Sequence, residues 1–448
     1  MIANKIKAIM KTDIRTIIDS LSDDFFDYFS FFILLLFIAS PVLVSFYGLT
    51  SGRFEIMLQN HILLLTGIYG KCIWFLSTIY LILFIIKKHK NLKNIFKDTT
   101  NITYIIFSFL VIWMMISTFV NGWNFYALEG DLYRNESLFT QMSYFIFYFF
   151  ISSQIKNDLI KRKIIYIQII ISIYIALCGF HFWNIFPDSK FYSWKSSLTS
   201  VYFNINHYAY YLTICIMLSS AMIVIETNKK LITLCTISII VNTIALSFNN
   251  TFGGWLACLL ALLFQIIMYL IIKRKIEKKT LIPLIVFILT TLITGIWTNN
   301  VFSSLLRFIL DVSDVASNSE NSAYAGSSRW RIWKGTISLI PKKPIFGYGI
   351  EATKANNLFN IVYNERTHNE YLQYTYWYGV PAGIAYFVGC LSIYLNGLKN
   401  KTYLSNITKV CLVSSFGYLV SAFFGNTMFY TSPYLFIHIG MSMVKHNY

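Results

Sequence analysis

Apolar residues in this chain come in runs of about 20, separated by short polar segments; the stretch FFILLLFIASPVLVSF, Phe31 to Phe46, is typical. A helix rising 1.5 Å per residue needs about 20 residues to cross roughly 30 Å of hydrocarbon, which is the length that recurs. The short alternating strands of a closed barrel are absent, so helices must satisfy the backbone. The pattern predicts an all-α integral membrane protein with twelve spans. Their approximate limits are 25–47, 65–86, 102–121, 139–155, 164–184, 207–226, 231–248, 254–272, 281–297, 372–395, 409–425 and 431–445. Ahead of them, Ile2, Ile6, Ile9, Met10, Ile14, Ile17 and Leu21 repeat at helical spacing with Lys5, Lys11 and Arg15 between. Residues 1–24 therefore read as an amphipathic helix lying on the anionic cytoplasmic leaflet, without the compact apolar core of a signal peptide.

Composition agrees: 56% of residues are hydrophobic and 13% charged, against about a quarter charged in a soluble domain. The net charge of +17 is concentrated in alternate loops, KKHKNLKNIFK from Lys87, KNDLIKRK from Lys156 and KRKIEKK from Lys273, and in the N-terminal tail. That is the positive-inside pattern, and it puts both termini in the cytoplasm. A nucleic-acid partner is excluded, since no basic stretch interleaves with aromatics in a folded soluble module. The seven cysteines, Cys72, Cys178, Cys215, Cys235, Cys258, Cys390 and Cys411, all fall inside predicted spans without CxxC spacing, so they read as packing residues.

This topology divides the chain into spans 1–9 (25–297), one large extracytoplasmic loop (298–371) and spans 10–12 (372–448). The loop is too long for a connector and too polar for a span, which makes it the expected functional region. Within it, SRWRIWKGTISLI, Ser328 to Ile340, begins with a serine at a cap position and ends at Pro341. Arg329 and Trp333 share one helical face; Arg331 and Lys334 share another, where cations meet lipid headgroups. PIFGYGI, Pro344 to Ile350, predicts a tight turn, and His368, Asn369 and Glu370 stand at the mouth of the following span.

Arg329, Trp333, Pro344, Gly347, Gly349, His368, Asn369, Leu372 and Gly379, in this order and spacing, resemble the signature of the O-antigen ligase and O-antigen polymerase superfamily of bacterial membrane glycosyltransferases. FNINHYAYYL, Phe203 to Leu212, is similar to the Asn-x-Asn segment that opens a family span. GNTMFYTSPYLF, Gly425 to Phe436, resembles the closing segment of capsule and exopolysaccharide repeat-unit polymerases. The resemblance implies a GT-C-like fold in the cytoplasmic membrane with its active site on the extracytoplasmic face. It implies polymerisation, with inversion, of glycan repeat units carried on a polyprenyl diphosphate such as undecaprenyl diphosphate. Ligation of a finished glycan to a lipid core or protein is the first alternative. A lipid-linked oligosaccharide flippase is the second, although the midplane polar features and matching halves of transporters are missing.

The implied partners are lipid-linked donor and acceptor, the bilayer, and a chain-length regulator and flippase. Such a transfer needs a base for the acceptor hydroxyl and cations for the diphosphate. His368 suits the first, with Glu370 next in line; an ordinary imidazole pKa of about 6.5 leaves it able to accept a proton. Arg329 suits the second because a guanidinium forks across phosphate oxygens. Arg366, Arg331, Asn369, Gly347, Gly349, Asn204, Asn206 and Trp333 complete the expected substrate-binding set. No Asp-x-Asp or comparable carboxylate grouping is present for a hard cation, so neither metal nor other cofactor is expected. One departure stands out. Family ligases usually carry an arginine near the outer end of the span that here reads SFNNTFGGWLA, and this chain has Phe252 at the nearest matching place; either another outward cation such as Arg366 or Arg307 replaces it, or the donor phosphate is held differently.

Overall fold

The computed structural model describes residues 23–50, 75, 78–80, 82, 102–131, 134–155, 157–185, 199–202, 204–298, 300–399 and 404–443. Its principal helices are α1 (Asp23–Thr50), α2 (Ile102–Val120), α3 (Leu138–Gln154), α4 (Asp158–Ile185), α5 (Ile205–Ile225), α6 (Lys229–Asn249) and α7 (Phe252–Lys273). They continue with α8 (Lys278–Thr298), α9 (Asn300–Ala316), α10 (Arg329–Leu339), α11 (Glu370–Tyr378), α12 (Val380–Lys399), α13 (Asn406–Ser421) and α14 (Ser432–Met441). Among the described residues there is no strand, and eight helices are long and apolar enough to cross a membrane: α2, α4 to α8, α12 and α13. Shorter apolar helices run over Tyr28–Leu43 and Leu138–Ser153. The protein is an all-α, multi-pass integral membrane protein. The expected interfacial helix and most of the span at 65–86 lie outside the described residues, as does Cys72; the other six cysteines are buried and free.

Local chemistry sets the helix ends. Ser137, Asn204, Asn228, Asn369 and Ser405 each cap a helix by accepting a backbone N–H, while Asn250 and Arg274 end α6 and α7 in the left-handed region. At the centre stands α5, 94% of its apolar window buried, packed on α4, α6, α7 and α13. Small residues allow the close approach: a Cβ on Gly254 of α7 would meet that of Ala209 at 2.8 Å, and one on Gly417 of α13 would meet Thr213 at 2.9 Å. Polar pairs join the same helices, Ser219 to Ser238 at 2.8 Å and Ser220 to Gln265 at 2.8 Å. By contrast, α8 leaves Ile285, Leu289, Ile293 and Ile296 exposed, as a lipid-facing helix does.

The structure corrects one predicted span. Residues 372–395 are not a single helix, because the chain breaks at Gly379, φ 90°, between α11 and α12. The Gly-Tyr-Gly turn sits in this break. Tyr348 N donates to Tyr376 O at 3.0 Å, Gly349 N to Trp377 O at 2.8 Å and Val380 N to Pro344 O at 2.8 Å. Carbonyls that the interrupted helix leaves free are thus used by the turn. A side chain at Gly347 (φ 61°) would strike the backbone of Trp377 and Gly379 at 2.6 Å, which explains the glycine there. From the other side, α2 holds the turn: Ser117 Oγ and Asn121 Nδ2 donate to Phe346 O at 2.6 and 3.0 Å.

Candidate active site

Three consecutive residues with positive φ, Gly326, Ser327 and Ser328, lead the chain into α10. Ser328 occupies the cap position, yet its side chain makes no capping bond. Instead Arg329 folds back, donating from Nη1 to Gly326 O at 3.0 Å and from Nη2 to Asn206 Oδ1 at 3.1 Å. Its Nε is buried and without a hydrogen-bond partner. Among the described residues Arg329 pairs with no carboxylate, and burial lowers its pKa from the usual value. Asn206 belongs to the first turn of α5, which Asn204 caps by accepting from the N–H groups of Asn206 (2.9 Å) and His207 (3.4 Å).

His368 lies in the same group. Trp333 Nε1 donates to Thr367 O at 3.0 Å and ties α10 to the histidine segment. His368 adopts φ 50°, and its N–H donates to Asn426 Oδ1 at 2.8 Å. With Oδ1 so engaged, the Asn426 amide N–H faces His368 Nδ1, at 3.4 Å. Burial first, then the charges of Arg329, Arg134 and Arg366, push the imidazole down to about 3. It is therefore neutral across the physiological range.

The remaining predicted residues divide by what they touch. Glu370 is fully buried and accepts from Tyr418 OH at 2.7 Å and Tyr386 OH at 3.0 Å; burial pushes its carboxyl up to about 8 despite those bonds. It lies inside the packing of α11, α12 and α13, and forms no hydrogen bond to His368. Asn369 caps α11 by accepting from Leu372 N at 3.0 Å. The N–H groups of Gly347, Tyr348 and Gly349 all donate to carbonyls, so this turn offers no amide cradle to a phosphate. Arg331 stands exposed with its guanidinium 3.5 Å from the centre of the Tyr363 ring, away from the Arg329–Asn206 contact.

Arg366 is 1% exposed and ion-paired with Glu351, itself fully buried. It also donates to Thr427 O at 3.2 Å and lies over the Trp377 ring. Burial alone would lower its pKa, but Glu351 and Glu136 outweigh that and raise it. Nor does Arg307 stand in at Phe252, which stacks on Phe308 at 4.8 Å while Arg307 lies exposed on α9.

Sequence reasoning singled out the Gly425–Phe436 segment without naming the residues in it that meet the site, and passed over the 128–137 connector. Asn426 holds His368, and Tyr430 OH lies 3.0 Å from His207 Nδ1. Thr427 Oγ1 donates to Glu136 Oε2 at 2.9 Å and accepts from Gln141 and Gln373 at 2.9 and 2.8 Å. Arg134 pairs with Glu365 at 2.7 Å, and Lys354 with Asp131 and Glu365 at 2.8 and 3.0 Å. The available signal was LEGDLYRNES, Leu128 to Ser137, which packs four charges into a short connector. Among the described residues no three His, Cys, Asp or Glu side chains gather as metal ligands would.

No curated protein matches the chain. Residues 236–387, about a third of its length and containing Arg329, Arg366 and His368, match the family described as O-Antigen ligase. That match supports the resemblance of this chain to the O-antigen ligase and polymerase superfamily.

Proposed function

We propose that this protein polymerises polyprenyl-diphosphate-linked oligosaccharide repeat units into a surface polysaccharide at the extracytoplasmic face of the cytoplasmic membrane. The observation that carries this reading is Arg329, a half-buried guanidinium with an unpartnered Nε and no carboxylate, grouped with a neutral imidazole. A buried cation without a counter-charge is costly, and an anionic ligand supplies the missing charge. The basic clusters on alternate loops support the orientation.

In this reading the acceptor hydroxyl oxygen attacks the anomeric carbon as the bond to the diphosphate oxygen breaks, with inversion. The hydroxyl proton passes to His368, and the charge left on the diphosphate is met by Arg329. Because the Asn426 amide N–H faces Nδ1, the neutral ring keeps its lone pair there, and at 3.4 Å an acceptor hydroxyl can displace the amide. An imidazole whose pKa is about 3 is a weak base. Burial is the larger cause of that low value and guanidinium charges the next; a bound diphosphate offsets the guanidinium part, so base strength rises when the donor arrives. Stabilising the leaving group in a site of low dielectric contributes about 3 kcal/mol for one well-placed donor. No metal or cofactor takes part in this scheme.

The test is transfer by purified protein given lipid-linked repeat units. His368→Ala is expected to lower turnover by about 10² to 10⁴ while lipid diphosphate still binds. Wild-type rate and polymer length in His368→Ala, at normal membrane levels, would sink the mechanism. Ligation is the second reading, favoured by the name of the matched family. A deletion strain separates the two: single repeat units on the surface mark lost polymerisation, and long chains stranded on lipid mark lost ligation.

A further inference from the structure

A diphosphate carries more than one negative charge, and Arg329 is one cation. The other cations at this end of the bundle are largely committed: Arg366 to Glu351, Lys354 to Asp131 and Glu365, and Arg331 to the Tyr363 ring. Arg134 differs. It is half-buried; Nη2 pairs with Glu365 at 2.7 Å, a carboxylate it shares with Lys354, while Nη1 is buried and has no hydrogen-bond partner. A buried guanidinium N–H left unmet costs free energy unless something accepts from it.

Its position is fixed by the wall that carries the histidine. Two residues on, Glu136 is buried and accepts from Gln141, Tyr144 and Thr427. Thr427 follows Asn426, the residue that holds the His368 backbone and ring. Arg134 thus reaches the site from the connector between α2 and α3, and Arg329 reaches it from α10.

We propose that Arg134 is the second guanidinium of the anion site and that, with Arg329, it grips the two phosphoryl groups of one diphosphate. The inference rests on the donor chemistry proposed above and adds what selects a diphosphate over a monophosphate. The electrostatics agree: after burial and Arg329, the charge of Arg134 is the next largest influence depressing His368.

The experiment measures binding of the full chain to phosphatidylcholine vesicles carrying either polyprenyl diphosphate or polyprenyl monophosphate. Wild type should prefer the diphosphate by roughly 10- to 100-fold, the range for one added charge-assisted hydrogen-bond pair. Arg134→Gln should lose that preference and bind both lipids at the monophosphate level. Arg134→Lys, which keeps a cation opposite Glu365, should fall between. Glu365→Gln separates ligand binding from scaffolding, since it removes the ion pair but leaves the guanidinium free, and the diphosphate preference should persist. An unchanged preference in Arg134→Gln overturns the inference, and so does a Glu365→Gln protein that behaves like Arg134→Gln. Wild-type protein that ignores both lipids would instead overturn the donor chemistry, and this inference with it.

Discussion

Arg329 and Arg366 occupy one loop and carry the same charge, yet the fold treats them in opposite ways. Around Arg329 a left-handed turn and Asn206 supply two neutral acceptors, leave Nε unmet and offer no carboxylate. Around Arg366 the chain brings Glu351, the Thr427 carbonyl and the Trp377 ring, and excludes solvent almost completely. Both keep a buried Nε without a partner, so open donor capacity does not separate them; the charge of Arg366 is answered by Glu351 within the protein, as in an internal strut, and that of Arg329 is not. The residue type alone does not distinguish them. Partners do.

Removing the strut should have the largest effect. Arg366→Ala leaves Glu351 buried and unpaired, and is expected to cost about 3 to 5 kcal/mol in unfolding measured in detergent. The pair replaced together, Arg366→Met with Glu351→Leu, should recover most of it. If Arg366→Ala melts like wild type but no longer binds the lipid donor, the contrast between the two arginines collapses.

Arg329→Lys should show the reverse signature. Stability is expected to stay within about 0.5 kcal/mol while turnover falls by about tenfold, because a lysine keeps the charge and loses the fork. Glu370 offers a third case, a buried acid that keeps its proton in place of finding a cation. Its folded-state pKa of about 8 exceeds the ordinary 4.5, so the folded protein binds the extra proton between those values. The stability it contributes is fully present below 4.5 and is lost as pH rises through 8. Melting temperature should therefore drop between about pH 4.5 and pH 8 in the wild type, and Glu370→Gln should flatten that drop. A slope that survives the substitution would assign the effect to another group. The smallest effect is expected from Arg331→Ala, since an exposed stack on Tyr363 contributes about 0.5 to 1 kcal/mol and touches no proposed substrate group. A large loss of transfer in this variant would return Arg331 to the diphosphate site.

Hydropathy made the long helices legible, because a membrane span depends on length and composition and little else. It could not reveal the break at Gly379, where a positive φ and the carbonyls answered by Tyr348, Gly349 and Val380 matter more than apolarity. Motif spacing brought Arg329, Trp333 and His368 forward together, and the structure ties Trp333 to the carbonyl just before His368. Arg366 also looked available, since its carboxylate partner lies 15 positions upstream with nothing local to mark the pair. Arg134 went unmarked for a related reason, and Asn426, although inside the quoted Gly425–Phe436 segment, carried no sign of its partner. Arg134 comes from a connector far upstream of Arg329 and Asn426 from one 58 positions beyond His368, and only folding brings them to one wall.

The belt joining the 121–134 connector to the 343–365 segment has a practical consequence. Asn121 meets Phe346, Asp131 meets Lys354, and Arg134 meets Glu365. These two segments would have to be exchanged as one cassette in any chimera with a related chain. A donor 298–371 loop grafted alone would bring its charges to a foreign connector, and a carbonyl corresponding to Phe346 would lose its amide. Swapping both segments together would keep the belt closed.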